Sequence, residues 1–154
     1  MPKVGDIWES YRTNEFVLII DGTPSPGVTK ISGLSEGEVD TIEQPDGTSN
    51  HVYKIASNKI KYEPITIERY VDGSPEDRRF RDWFQQTFNL TASGSGSGVR
   101  KNGMIVKRHN GADVLTFSFE QAWVKSSKFS DLEAGSTNAL KQTIVLEVER
   151  LRRE

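Results

Sequence analysis

Alternation of apolar and polar residues constrains the fold of this chain more than any other feature of its sequence. In the run EFVLIIDG, Phe16, Leu18 and Ile20 occupy every second position. A period of two is that of a strand with one buried face. The same reasoning predicts further strands at Gly27–Leu34, Glu36–Glu43, Ile65–Ile67, Leu115–Phe119 and Leu140–Val148. The chain is therefore predicted to be mainly β.

Two Asn-Gly dipeptides bracket another predicted strand, Met104–His109. Asn102-Gly103 precedes it and Asn110-Gly111 follows it. Both residue types adopt the positive φ of tight hairpin turns with little cost. A turn is therefore expected at each end of this strand.

One segment departs from the strand pattern and predicts a helix near residues 75–89. Ser74-Pro75-Glu76-Asp77 combines an N-cap residue, a first-turn proline and acids suited to the positive end of a helix dipole. Four aromatic residues follow at helical spacing and are predicted to pack the helix on the β-structure: Phe80, Trp83, Phe84 and Phe88.

Length and composition exclude several classes of protein. The 154 residues fit a single domain, 1–154, and the net charge of −2 argues against a dedicated nucleic-acid binder. The absence of cysteine excludes disulfides, thiol catalysis and cysteine metal sites. No apolar run is long enough for a membrane span, and MPKVGDIWES lacks the apolar region of a secretory signal. We therefore expect no membrane anchor, and assembly in the cytoplasm.

The sequence contains no recognisable catalytic or cofactor motif. His51 and His109 adjoin turn residues and are interpreted as solvated loop histidines. No metalloprotease or zinc-ligand spacing is present, and the glycines of the Gly/Ser-rich segment 91–98 lack the spacing of a phosphate-binding loop. That segment is predicted to be a surface loop. The protein is predicted not to be an enzyme and to use no cofactor and no metal.

Charges are segregated along the chain. Residues 35–50 contain five acids and no base, residues 51–62 three lysines and no acid, and residues 99–109 four bases and no acid. One interpretation is that these are solvated faces whose isolated charges contribute little. The other is that complementary patches meet on neighbouring copies of the chain and set their register. Residues 46–62 are interpreted as a protruding loop.

Short motifs follow one another in a particular order over residues 15–151. The run Phe16–Gly22 is followed by a V-x-x-x-S-G-L segment at Val28–Leu34, an I-T-I-E-R strand at Ile65–Arg69, a helical tryptophan and an F-x-x-A-W segment at Phe119–Trp123. In this order and spacing they resemble the tail tube family of contractile phages and contractile injection systems. The positions that match the family motifs most clearly are Gly33, Leu34, Arg69 and Trp123.

The resemblance implies two roughly orthogonal antiparallel sheets, a β-sandwich or barrel, with one flanking helix. It implies that six copies close into a ring with a continuous inner β-barrel, and that rings stack into a tube. The expected partners are further copies of the chain, a contractile sheath, baseplate and terminator proteins, and effector cargo or DNA in the lumen. The expected location is a virion tail or an extracellular or cell-associated injection particle.

Within such a tube, Glu36, Glu38 and Asp40 are the predicted lumen face, because a carboxylate wall repels a polyanion. The alternative is that these carboxylates face outward. Ring stacking is assigned to the N-terminal arm, residues 1–13, and to the 46–62 segment. The charged stacking residues of that segment are Asp46, Lys54, Lys59 and Lys61.

Two other functions stay open from sequence. One is the tube ring of a type VI secretion system, which shares the implied fold. The other is a monomeric β-sandwich that binds a ligand on an exposed aromatic platform. The aromatic residues available for such a platform are Trp8, Tyr11, Tyr53, Tyr62 and Tyr70.

Overall fold

A computed structural model describes residues 3–25, 27–88 and 100–154. These residues form twelve strands and one helix. In chain order the elements are β1 (Lys3–Val4), β2 (Ile7–Trp8), β3 (Phe16–Ile20), β4 (Thr23–Ser25), β5 (Val28–Ser32), β6 (Glu38–Pro45), β7 (Val52–Lys61), β8 (Ile65–Tyr70), α1 (Pro75–Phe88), β9 (Lys101–His109), β10 (Ala112–Phe129), β11 (Lys141–Glu147) and β12 (Arg150–Arg153). The prediction of a mainly β chain with one helix is confirmed for this part of the molecule.

The body consists of two antiparallel sheets that share the 18-residue strand β10. The first half of β10 pairs with β9 on one side and with β12 on the other. From β9 the first sheet continues through β3 to β4. The second half of β10 pairs with β11, followed by β8 and β5. Gln121 has a φ of 55° where the pairing with β9 shifts register, which is where β10 passes between the sheets. The described strands do not close into a barrel.

The core lies between the two sheets and beneath α1. It is built from the inward-facing residues of the alternating strands, as the period of two predicts. Its fully buried aliphatic and aromatic members are Leu18, Ile65, Ile67, Phe119, Ala122, Val124, Ile144, Leu146 and Leu151.

The helix begins with the predicted cap, since the Ser74 hydroxyl accepts a hydrogen bond from the Asp77 amide at 3.4 Å. Phe80, Trp83 and Phe84 are buried in the core, as predicted. The prediction for Phe88 is wrong, because its side chain is 56% exposed. At 3.6 residues per turn, a position eight residues after Phe80 lies about 80° away around the helix, whereas the position seven residues after lies within about 20°. Thr87 is accordingly the buried residue of the last turn.

Two expectations about loops and turns are corrected by the structure. The segment 46–62 is not a protruding loop, since Val52–Lys61 is a strand that pairs with β6. The β-branched and aromatic residues at its start favour this conformation. The predicted turn at Asn102-Gly103 is also wrong, because both residues lie inside β9. At Asn110-Gly111 the predicted turn is confirmed, with φ values of 51° and 81°. The predicted 91–98 loop and the predicted last helical residue, Asn89, lie outside the described residues.

Candidate assembly surfaces

Strands β6 and β7 form a two-stranded sheet that is separate from the body. Its register places Ile42 opposite Ile55 and Gln44 opposite Tyr53, with two extra residues in β7 where the register shifts near Asp40. We call residues 38–61 the hairpin. An isolated two-stranded hairpin is only marginally stable in water. The hairpin is therefore an element that lacks, within one chain, the packing partners that strands normally have.

Apolar side chains are exposed on both faces of the hairpin. Alternation along each strand puts Ile42, Tyr53 and Ile55 on one face, which we call the isoleucine face. Ile42 is 53% exposed and Ile55 45% exposed. The opposite face also exposes large aliphatic residues, namely Val39, Val52 and Ile60. A surface of this kind is typical of an element that docks on another protein.

The predicted stacking lysines lie on β7, opposite the acids of β6. Lys61 is opposite Glu38 and forms an ion pair of 3.0 Å with Asp40. Lys54 is opposite Glu43, while Lys59 lies in the stretch of β7 where the register shifts. The acidic and basic runs of the sequence therefore adjoin one another within one hairpin, a relationship that charge counting alone did not reveal.

Asp46 organises the turn of the hairpin. Its carboxylate accepts hydrogen bonds from the Thr48 amide at 2.9 Å, the Thr48 hydroxyl at 2.7 Å and the Ser49 hydroxyl at 3.3 Å. The Thr48 amide bond is the largest of the effects that hold the pKa of Asp46 below its ordinary value, followed by the two hydroxyl bonds. Of the predicted stacking residues, Asp46 alone lies in the turn.

The three predicted lumen acids do not lie on the two sheets of the body. Glu38 and Asp40 belong to the hairpin strand β6. Glu36 precedes that strand, and its carboxylate lies 3.0 Å from the Arg153 guanidinium. The structure thus brings Glu38 and Asp40 onto one face and places Glu36 beside the last strand. Their position relative to a lumen stays a prediction.

The sheets of the body end in unpaired edges. Among the described strands, β4 pairs only with β3, β5 only with β8 and β12 only with β10. The outer edge of each exposes backbone donors and acceptors that can pair with another chain. These edges and the hairpin are the surfaces through which the chain can form a larger β-structure.

An open groove of about 540 Å³ lies between the two sheets. Its described lining comes from the N-terminal arm, β3, β5, the residues after β5, β9 and β10. We call it the inter-sheet groove. Its apolar lining residues are Phe16, Ile31, Leu34, Ile105, Leu115 and Phe117. Three basic residues, Arg12, Lys30 and Lys107, also line it.

The N-terminal arm carries exposed apolar residues as well. Among the described strands, β1 and β2 pair only with each other, and Trp8 is 61% exposed. Tyr11 is exposed beside the inter-sheet groove. Tyr53 lies on the hairpin and Tyr70 at the end of β8, so the aromatic residues of the described chain do not form one platform.

All four residues that match the family motifs lie in the described part of the chain, and each has a definable packing environment. Gly33 has a φ of +84°, and a Cβ there would overlap the Pro64 carbonyl oxygen. Leu34 lines the inter-sheet groove, and Trp123 is half-buried on β10. Arg69 is buried, and its guanidinium donates hydrogen bonds to Asp77 at 2.6 Å and Gln142 at 2.8 Å. Sequence reasoning identified the arginine but neither of its partners, because they lie on α1 and β11.

His109 is not the solvated histidine that the sequence suggested. It is the last residue of β9, its side chain is 10% exposed, and its ring lies 5.7 Å from that of Tyr11. Its Nε2 lies 4.0 Å from a carboxylate oxygen of Glu9. His51 is exposed, as expected, and its ring meets Tyr53 edge-on. The described residues contain no cluster of three or more potential metal-ligating side chains.

In the described ranges, no helix combines the length and apolar character that crossing a bilayer requires.

Comparison with known families gives a match that extends over nearly the whole chain. The model of the T4-like virus tail tube protein gp19 family matches residues 12–152. No curated protein sequence matches the chain.

Solved structures with the same fold include a chain of a contractile injection system. A chain of the sheath–tube complex of the extracellular contractile injection system PVC, in its extended state, superimposes with a TM-score of 0.74 at 21% identity, covering 94% of this chain and 91% of that one. The tube-terminating cap of the anti-feeding prophage gives 0.74 at 20% identity, covering 96% and 93%. Hcp1 from Flavobacterium johnsoniae gives 0.53 at 19% identity, covering 90% and 93%. At these identities the likeness establishes the fold.

Proposed function

This chain belongs to the T4-like virus tail tube protein gp19 family, and from that membership we propose that it forms the inner tube of a contractile phage tail or contractile injection particle. Six copies close into a ring, and rings stack into a hollow tube. The tube is a conduit that sheath contraction drives through a target envelope. The protein performs no bond chemistry in this role.

The observation that supports the proposal is that several strands of one chain have unpaired edges. Strands β4, β5 and β12 have unpaired edges among the described residues, and the hairpin pairs only with itself. Such edges are a liability for an isolated protein, because they invite uncontrolled pairing. Closure into a ring satisfies them with identical neighbours, as cyclic symmetry allows. The same closure joins the sheets of adjacent copies into the inner barrel.

The hairpin is the element proposed to join neighbouring rings. It lies apart from the two-sheet body and exposes apolar residues on both faces. Burial of such residues contributes about 25 cal/mol for each Å² removed from water. The N-terminal arm, with its exposed Ile7 and Trp8, is proposed as the second stacking element.

The remaining partners are proposed from the family and from the fold. A tube of this family is surrounded by a sheath and terminated by other proteins, and PVC and anti-feeding prophage chains of this fold come from a sheath–tube complex and a tube cap. DNA or an effector protein is the proposed cargo of the lumen. Glu36, Glu38 and Asp40 are proposed to line part of that lumen.

A type VI secretion tube ring is the second candidate. It is favoured by the likeness to Hcp1, which covers 90% of this chain. The monomeric binding module has less support, since the exposed aromatic residues of the described chain lie on separate elements.

Assembly of the purified chain tests the proposal. Size-exclusion chromatography with light scattering is expected to give a species of about six times the 17.3 kDa subunit, or longer polymers. Negative-stain microscopy is expected to show rings or tubes. A strictly monomeric protein at every concentration, with no rings on the grid, would overturn the proposal.

A further inference from the structure

The inter-sheet groove is unfilled apolar space in a chain that otherwise buries its core well. Its volume of about 540 Å³ is in the range of natural binding clefts, and no described lining residue comes from α1. Phe16, Leu115 and Phe117 line it from the first sheet, and Ile31 lines it from β5. The helix therefore covers one part of the space between the sheets, and no described residue covers this part.

The basic residues of the groove have no acidic partners of their own. In residues 3–25, 27–88 and 100–154, no carboxylate forms an ion pair with Arg12, Lys30 or Lys107. The Lys107 ammonium donates to the backbone carbonyls of Glu15 and Arg108 instead. A ligand for this groove therefore has to combine apolar side chains with carboxylates.

One wall of the groove is also an unpaired strand edge. Ile31 and Lys30 belong to β5, which pairs with β8 and with no other described strand. An extended segment entering the groove can thus add backbone hydrogen bonds along β5. Main-chain pairing supplies affinity in this mode, and side-chain pockets supply specificity.

The hairpin has the complementary chemistry. Its isoleucine face exposes Ile42, Tyr53 and Ile55, and alternation along β6 places Glu38 and Asp40 on this same face. Among the described residues, Asp40 forms an ion pair with Lys61, whereas Glu38 forms none. The hairpin cannot fill the groove of its own chain as it stands, since it forms a separate sheet and none of its residues is among the described lining.

We propose that the inter-sheet groove of each subunit receives the isoleucine face of the hairpin of a second copy. The acidic strand β6 then lies toward the basic residues of the groove, and the apolar residues fill the space between the sheets. The inference rests on the proposed tube function and identifies the surface on which the hairpin docks.

Disulfide trapping tests this contact directly, because the natural chain contains no cysteine. Two single variants are mixed, I42C on the hairpin and L115C in the groove, so that any disulfide joins different molecules. Bond formation requires Cα atoms within about 7 Å of each other. L34C is a second groove variant, at a more exposed position, in case L115C does not fold. Copper phenanthroline is the oxidant, and non-reducing electrophoresis detects the dimer.

The matched control is T41C, whose side chain is adjacent in sequence but on the opposite face of the hairpin. W8C is a second comparison, which tests whether the N-terminal arm occupies the inter-sheet groove in place of the hairpin. We expect I42C to give at least about fivefold more dimer with L115C or L34C than T41C or W8C does, given the distance limit of the bond. Adding K107E to the groove variant should lower that yield about threefold or more, whereas K128E should not.

Microscopy of the same samples separates this inference from the proposed function. Rings or tubes without the I42C disulfide, or with dominant T41C or W8C disulfides, overturn the docking and leave the tube function standing. Samples with neither rings nor disulfides overturn both. A dominant I42C disulfide in ring-containing samples supports the docking.

Discussion

The guanidinium of Arg69 donates a hydrogen bond of 2.6 Å to the carboxylate of Asp77, joining strand β8 to the first turn of α1. Arg69 is 1% exposed, so its charge is compensated inside the protein. Gln142 on β11 accepts a second bond at 2.8 Å, and the Phe80 ring lies 5.1 Å from the guanidinium carbon. One side chain thereby connects the helix to two strands of the second sheet. We infer that this contact sets the position of α1.

The Asp77→Ala substitution is expected to lower the free energy of unfolding of the dissociated subunit by about 2–4 kcal/mol. The reason is that a buried guanidinium loses its strongest partner and retains a desolvated charge. Denaturant unfolding followed by tryptophan fluorescence measures the change. Glu76→Ala, in the same helical turn, is the matched control. Its carboxylate lies 3.8 Å from the half-exposed Arg79, so a loss below about 1 kcal/mol is expected. Equal losses in the two variants would contradict the proposed role of Arg69.

Local patterns predicted the elements of this fold well wherever one face of an element is buried. Strands β3, β5, β8, β10 and β11 of the body follow from alternation, whereas β4 and β12 are not predicted by it. The helix follows from its cap and its aromatic spacing. The aromatic spacing predicts that Phe88 lies in the core, because i+8 is close to two full helical turns. The accumulated rotation instead leaves Phe88 exposed and buries Thr87.

Patterns failed where tertiary contact decides the conformation. Asn102-Gly103 has the composition of a turn, yet both residues lie in strand β9, which pairs with β3 and β10. The residue at 103 is glycine because the Phe119 ring and the Ile19 carbonyl occupy the space a Cβ would need. The side-chain oxygen of Asn102 accepts a hydrogen bond from the backbone N–H of Gln121, which lies across from it in β10. Residues 46–62 are predicted as a loop because the apolar residues of β7 are exposed on both faces and provide no one-sided alternation. The other strand of the hairpin, β6, agrees with the strand predicted at Glu36–Glu43.

Gly33→Ala is expected to be much more destabilising than an ordinary glycine substitution. The residue has a φ of +84°, and its missing Cβ makes room for the Pro64 carbonyl oxygen before β8. Strain and overlap together should cost more than about 2 kcal/mol of unfolding free energy. Gly111→Ala separates the two effects, since Gly111 has a φ of +81° and nothing within 4 Å of a Cβ. That variant should lose only about 1 kcal/mol. If thermal or denaturant unfolding gave the two variants the same stability, close approach of the backbone would not explain Gly33.

The pKa of Asp46 should rise when the hydroxyl group of Thr48 is replaced by a methyl group. The Thr48 amide and hydroxyl bonds favour the ionised carboxylate, so the folded-state pKa lies below the unfolded value. The stabilisation of the turn is therefore complete above the unfolded pKa and disappears as the pH falls through the folded pKa. In Thr48→Val the hydroxyl bond is lost and the pKa of Asp46 should rise, as followed by NMR titration of the carboxyl carbon. Thr41→Val, on the same hairpin, contacts no oxygen of Asp46 and should leave the titration unchanged. An unchanged midpoint in Thr48→Val would show that the hydroxyl bond does not form in solution.

Replacing Ile42 and Ile55 with serine should separate the stability of the subunit from its assembly. Both side chains are about half exposed in one chain, so the unfolding free energy of the dissociated subunit should change by less than about 1 kcal/mol. Burying the exposed half of each isoleucine in an interface contributes about 0.8–1.5 kcal/mol, so tubes should become short or absent. Val39→Ser with Val52→Ser is the matched control, because it removes similarly exposed aliphatic groups from the opposite face of the same hairpin. Denaturant unfolding and length measurement on negative-stain micrographs give the two readouts. Full-length tubes from the double isoleucine variant would exclude the isoleucine face from the contact between subunits.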